Sequence, residues 1–185
     1  MKKFLIPSIR LTIVMIVLIC IVYIGLVNLI GKTSPGNGDG LTISSNGKVV
    51  GYDLLGQKFS QDNYFWSRPS AVEYNAAGSA GSNKGPSNAD YLKIVQDRID
   101  TFLVHNPGVR KEDIPADLVT ASGSGLDPDI SPAAAYIQVA RVARVRGLSE
   151  QSVKTLVENQ IEKSLLGPSK VNVLKLNLSL DRIKS

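Results

Sequence analysis

Apolar residues run without a charge from Leu11 to Ile30, with Ile, Val and Leu dominating. About twenty helical residues rise about 30 Å, the thickness of a bilayer's hydrocarbon core, so the run predicts a transmembrane helix over 11–30. A cleaved leader would have a shorter apolar core, roughly 7 to 15 residues, followed by a small-x-small site. A lipoprotein signal would need small residues before its cysteine, whereas Val17-Leu18-Ile19 precede Cys20. Neither pattern fits.

Beyond the span the periodicity changes. Residues 31–40, dense in Gly, Ser, Asn and Pro, read as a linker, and a soluble domain is expected over 41–185. Leu41-Thr42-Ile43 and Lys48-Val49-Val50-Gly51 flank an Asn46-Gly47 turn, which predicts a tight antiparallel hairpin. Asp53 to Pro86 shows no sustained period and predicts a long loop held by its aromatic residues. Helical spacing returns with Tyr91, Leu92, Val95, Ile99, Phe102 and Leu103, behind a capping-box-like Ser87/Asp90 pair. It predicts a helix over 88–104. Ser131-Pro132 opens a second, over 132–146, ended by Gly147. Ser149 caps a third, whose stripe Val153, Leu156, Val157, Ile161 and Leu165 runs toward Gly167-Pro168. Val171 and Val173, then Leu174, Leu176, Leu178 and Leu180, alternate as a strand with a bulge at Leu174. The expected fold class is α+β: one N-terminal transmembrane helix and one small extracytoplasmic domain.

Charge sets the expected orientation. Lys2, Lys3 and Arg10 precede the span, while Lys32 alone follows it at the same distance. The positive-inside rule assigns residues 1–10 to the cytoplasm and everything after about Gly31 to the far side of the membrane. All 16 acidic residues follow the span with the other 18 of the 21 basic ones, a balance of +2 that gives no reason to expect a nucleic-acid surface. One cysteine and one histidine leave no internal disulfide and no Cys/His zinc cluster. His105 reads as a helix-end residue whose partial charge suits the dipole.

Three stretches are candidates for chemistry or contact. Gly78 to Pro86 is glycine-rich but fails as a P-loop, because Lys84 precedes Gly85, and as a dinucleotide-binding fingerprint, because no strand leads directly into it. Pro115 to Pro132 contains Ser122, Gly123, Ser124, Gly125, Leu126, Asp127 and Asp129 before a helix start. An anion nest, a cation site on Asp127 and Asp129, and a serine nucleophile are open readings; the elbow pattern lacks a glycine at 122. A structural turn, or a loop presenting Leu126 to a partner, is the simpler expectation. Tyr64-Phe65-Trp66-Ser67-Arg68 joins three aromatics and an arginine, residue types favoured at interfaces, though some of it should anchor the loop in the core. Within the span, Gly25 would let another helix approach closely.

These stretches combine into a resemblance. The anchor, Tyr64-Phe65-Trp66-Ser67-Arg68-Pro69-Ser70-Ala71, Tyr74-Asn75, Gly81-Ser82-Asn83 and Gly85-Pro86-Ser87-Asn88 come first. Leu118-Val119-Thr120-Ala121-Ser122-Gly123-Ser124-Gly125-Leu126-Asp127-Pro128, Ile130-Ser131-Pro132-Ala133-Ala134 and Val171-Asn172-Val173-Leu174-Lys175-Leu176-Asn177 complete the set. In this order, over nearly the whole chain, they resemble the C subunit of the bacterial Kdp potassium-transporting ATPase. Asp129 stands where many relatives carry His or Asn, which argues against a fixed titrating or metal role there. The chain lacks the Asp-Lys-Thr-Gly signature of a phosphorylated P-type subunit.

The resemblance implies a non-catalytic subunit of a high-affinity potassium-uptake complex. Its expected partners are a potassium-channel-like subunit, a P-type ATPase subunit and the lipid bilayer. No cofactor is expected on the chain alone. ATP enters only through a ternary complex in which this subunit raises the ATP affinity of the ATPase subunit, and the expected topology strains that role because ATP is cytoplasmic. The alternative is a stand-alone membrane-anchored extracytoplasmic binding or sensor domain. The candidate partner interface is Gly25, Tyr64, Phe65, Trp66, Arg68, Ser122, Gly123, Ser124, Gly125, Leu126 and Asp127; no catalytic or metal residue is expected.

Overall fold

The computed structural model describes residues 2–183. Met1 of the expected cytoplasmic segment, and residues 184 and 185 of the expected 41–185 domain, lie outside the described residues. The backbone divides into two compact units between Thr42 and Ile43.

The first unit is an exposed apolar helix running unbroken over Lys3–Gly31. It consists of α1 (Lys2–Ile16), a wider π-type stretch (Val17–Tyr23) and α2 (Ile24–Gly31). The expected 11–30 span lies wholly inside it. After Gly31 the last carbonyls are capped by hydroxyls: Thr33 Oγ1 donates to Ile30 O at 2.7 Å and Ser34 Oγ to Gly31 O at 2.6 Å. Positive φ at Gly36, Asn37, Gly38 and Gly40 then folds the linker into consecutive turns.

The second unit is α+β. The hairpin forms as expected from β1 (Thr42–Ser45) and β2 (Lys48–Tyr52), with Asn46 at φ 51° and Gly47 at φ 76°. Among the described residues, 53–86 carry no helix or strand. Helix α3 (Ala89–His105) agrees with the 88–104 expectation, but its cap is Asn88, whose side chain accepts from Tyr91 N at 3.0 Å, and not Ser87. A second sheet orders β3 (Asp129–Ile130), β5 (Lys170–Asn172) and β4 (Ile161–Glu162) with β5 central and both pairings antiparallel. Val171 faces Ile130 on one side and Ile161 on the other, and it is fully buried.

Three expectations fail here. The helix over 132–146 is broken into α4 (Pro132–Tyr136) and α5 (Val139–Arg146). Gln138 lies between them, and its side-chain amide donates to Ala134 O at 2.9 Å while its own N–H reaches back only to Ala135 O. A side chain has taken a carbonyl of the regular ladder, and the winding is interrupted there. Helix α6 (Glu150–Gln160) stops five residues before Leu165, because Ile161 and Glu162 leave it to pair with β5. Leu165, expected on the buried stripe, is 97% exposed.

The third failure is the C-terminal strand. Only Lys170–Asn172 is extended, and Val173–Asp181 is helix α7. The Asn172 side chain caps it by accepting from Lys175 N at 3.0 Å. Val173, Leu176 and Leu180, at i, i+3 and i+7, supply the buried stripe. The alternation of Leu174, Leu176, Leu178 and Leu180 is a coincidence of composition on a helix. Core packing joins these residues to Phe65, Phe102, Val142, Val153 and Val157.

Candidate functional site

The 53–86 loop, which carries no helix or strand, is held by side chains reaching from the helices, and the irregular segment 119–128 is fastened to it. Helix α5 supplies Arg141, a side chain with no exposure. Its Nη1 donates to the carbonyls of Asp62 at 2.6 Å and Tyr64 at 2.9 Å, its Nε to Asn106 Oδ1 at 3.0 Å, and its Nη2 to Gln138 Oε1 at 2.6 Å. The guanidinium also lies 4.7 Å from the Trp66 ring centroid. Burial pulls it down to about 10, against the opposing pull of Asp62. It remains charged at neutral pH and satisfies a chain segment that no ladder serves. Arg146, five positions on, lies over the Tyr64 ring at 4.7 Å, donates to Asn63 O at 2.7 Å, and shares Asp181 with the Tyr64 hydroxyl.

The aromatic stretch is fastened residue by residue. Phe65 is wholly buried, and its N–H and C=O are both bound by the Asn177 side chain of α7. Trp66 N donates to Gln138 Oε1 at 2.8 Å, and its indole N–H to Gln61 O at 3.1 Å. Phe65 is therefore a core residue, while Tyr64, Trp66 and Arg68 are half-buried.

The Ser122–Asp127 segment locks onto residues 68–81. Ser122 N donates to Pro69 O at 3.2 Å, Ser70 Oγ to Gly125 O at 2.7 Å, and Ser79 Oγ to Ser124 O at 2.9 Å. Ser124 Oγ accepts from Leu126 N, and Leu126 O accepts from Gly56 N. Gly125 has φ +68°, and a Cβ there would stand 2.6 Å from Val72 Cγ2. Tyr74 closes the lock by donating its hydroxyl to Arg68 O, and burial pushes that phenol up to about 12, partly offset by Ser67 and Arg98.

The carboxylates are engaged too. Asp127 Oδ2 pairs with Arg68 Nη1 at 3.0 Å, and its Oδ1 accepts from Asp129 N at 3.1 Å. Asp129 Oδ2 pairs with Lys170 Nζ at 2.7 Å, and its Oδ1 is buried without a partner among the described residues. Ser122, Gly125 and Leu126 are buried, whereas Gly123 and Ser124 are exposed. The expectation that this loop presents Leu126 outward is thus corrected: Leu126 is 8% exposed and the two residues before Gly125 form the rim. An added Cβ at Gly25 meets open space among the described residues.

Sequence reasoning missed Arg141, Gln138, Asn106 and Asn177, the groups that position the aromatic stretch. The signal for them was weak: Gln138, Arg141 and Asn177 are polar residues interrupting apolar stripes, and Asn106 stands at a helix end.

Comparisons with known proteins cover the same span as this architecture. The sequence profile of the family described as K+-transporting ATPase, c chain, matches residues 5–182. The potassium-transporting ATPase KdpC subunit of Flavobacterium johnsoniae is 58% identical over 182 residues, covering 98% of this chain and 100% of the relative. That of Flavobacterium psychrophilum is 61% identical over 176 residues, covering 95% and 96%. That of Phocaeicola vulgatus is 50% identical over 190 residues and covers all of both chains. With the profile and these relatives matching almost end to end, the chain belongs to the KdpC family of potassium-transporting ATPase c chains.

Proposed function

We propose that this chain is a non-catalytic subunit that assists assembly and stability of a high-affinity, ATP-driven potassium-uptake complex. The partners in this reading are a potassium-channel-like subunit and a P-type ATPase subunit. One observation carries it: polar side chains of the two candidate loops are engaged in holding the loops in place. Ser70 and Ser79 donate to carbonyls of the 122–127 loop, Ser124 turns it, Asp127 is tied to Arg68, and the imidazole of His105 meets Asp62 at 2.8 Å. A scaffold so pinned offers a shaped surface, and Gly123, Ser124, Tyr64, Trp66, Arg68 and Asp127 are its accessible candidates. The buried Phe65, Ser122, Gly125 and Leu126 act on that surface through position alone.

In this proposal the amino terminus is cytoplasmic and the domain lies outside, on the strength of Lys2, Lys3 and Arg10 before the span. ATP then lies across the membrane from the domain, so any rise in the ATPase subunit's ATP affinity is transmitted through the assembled complex. Cysteine at Ser45 in a Cys20→Ser background should react with a membrane-impermeant thiol reagent in intact spheroplasts. Labelling only after lysis would reverse the topology and restore direct ATP contact. Mild detergent extraction of potassium-limited cells should recover the chain with two large polytopic subunits; recovery alone would support the stand-alone sensor reading instead.

A further inference from the structure

The most exposed large apolar side chains among the described residues of the domain stand side by side. Leu165 and Leu166 are each 97% exposed, on the 163–169 loop that joins β4 to β5. Their neighbours Lys163, Ser164, Gly167, Pro168 and Ser169 are exposed as well, so the whole loop projects. The pairings of Ile161 with Val171 and Glu162 with Lys170 close its base. A single surface leucine is ordinary, but two adjacent ones at a hairpin tip give up no packing when they enter an apolar phase.

The base of this hairpin is tied to the place where the chain enters the domain. Lys170 Nζ stands 2.7 Å from Asp129 and 3.7 Å from Glu162, and Lys175 Nζ stands 3.4 Å from Glu162 and 2.6 Å from Asp53. Asp53 directly follows β2, and the tight Asn46-Gly47 turn sets the start of β1 beside the end of β2. The leucine-bearing hairpin therefore stands next to the strand end at which the linker arrives. Leu54, 70% exposed, adds a third apolar side chain beside Asp53.

We propose that Leu165 and Leu166 make a second membrane contact, a hairpin tip that enters the lipid interface. The occupant is lipid because the chain itself brings the bilayer within reach. The apolar helix over Lys3–Gly31 is long enough to cross a membrane, and residues 32–41 span at most about 35 Å even when extended, so the domain's entry point is tethered near the membrane surface. From Glu162 to Leu165 is at most about 10 Å of chain. The leucines leave water for the boundary of headgroups and acyl chains, while Lys163 keeps its ammonium among the phosphates. Both leaflets offer this chemistry, so the contact holds for either orientation of the span and stands apart from the sidedness proposed above. Two attachments restrict the domain's rotation more than one tether does, and the surface carrying Tyr64 and Trp66 is presented in fewer orientations.

The test reconstitutes the full chain alone, with Cys20→Ser and Ser164→Cys, in vesicles of phosphatidylcholine and phosphatidylglycerol, and places an environment-sensitive nitrobenzoxadiazole label on the new thiol. Lipids carrying a nitroxide high on the acyl chain should quench this label about twofold or more. The same label at Gln151→Cys, at the opposite end of α6 from β4, should be quenched far less. Leu165→Ser/Leu166→Ser should bring position 164 down to the level of position 151, and both side chains lie outside the core, so the fold is kept. Equal quenching at 164 and 151, or quenching at 164 that survives the loss of both leucines, would overturn the membrane contact. A leucine-dependent change of emission that appears only after assembly with other subunits would also overturn it and give the tip to a protein pocket.

Discussion

The Asn177 carboxamide holds both main-chain groups of Phe65, accepting from its N–H at 2.9 Å and donating to its carbonyl at 3.0 Å. One side chain on α7 thus does for an isolated loop residue what a neighbouring strand does in a sheet. The ring of Phe65 is delivered to the core by this amide and by no secondary structure of its own.

Asn177→Leu keeps the volume but leaves a buried N–H and a buried carbonyl without partners. The expected loss is about 2 to 4 kcal/mol. Chemical denaturation in detergent, followed by Trp66 emission, measures it; a change below about 0.5 kcal/mol would show that water or backbone movement replaces the amide.

Gly125 and Gly123 should separate fold from contact. Gly125→Ala forces a Cβ onto a backbone at φ +68° and within 2.8 Å of Ala80 O, so the melting temperature of the domain should drop. Around Gly123 an added Cβ meets nothing within 4 Å among the described residues. Gly123→Val should melt like the parent chain yet reduce recovery of the assembled complex. Normal recovery would take the exposed rim of the loop out of the interface.

Leu165→Ser should change stability by no more than about 0.5 kcal/mol, because the side chain is 97% exposed. Leu180→Ala, at a fully buried position of α7, should cost about 2 to 5 kcal/mol. Comparable losses from the two would mean that α6 continues through 165 after all.

Tyr74 predicts an alkaline limb. Its phenol is pushed up to about 12 in the folded domain against 10.0 for the unburied group, chiefly by burial. Below pH 10 both states hold the proton and the contribution is complete; between pH 10 and 12 the unfolded chain ionises first and stability falls. After allowance for partial exposure the loss is at most about 2 kcal/mol, and Tyr74→Phe should flatten the limb in denaturation curves taken from pH 9 to 12.

Gly25→Leu should leave membrane insertion intact and weaken copurification with the proposed channel-like partner, since helices in lipid associate through close packing. Undiminished copurification would remove Gly25 from the interface.

What the sequence determined by itself is what short-range physics decides. The apolar span, the Asn46-Gly47 turn, the Ser131 and Ser149 caps and the Gly147 terminus each depend on neighbours within a few residues, and each is present. The family, too, was legible, because its motifs are contiguous blocks. Tertiary structure alone decided the rest. Val173–Asp181 is a helix because its i, i+3, i+7 stripe meets a core, although its leucines also alternate as a strand would. The Gln138 side chain that interrupts the helix also accepts from Trp66 N, 72 positions away, and the mount of the aromatic loop comes from Arg141 and Asn177, at 77 to 112 positions. Local propensity cannot see such partners, so the residues that shape the candidate surface were the ones the sequence left silent.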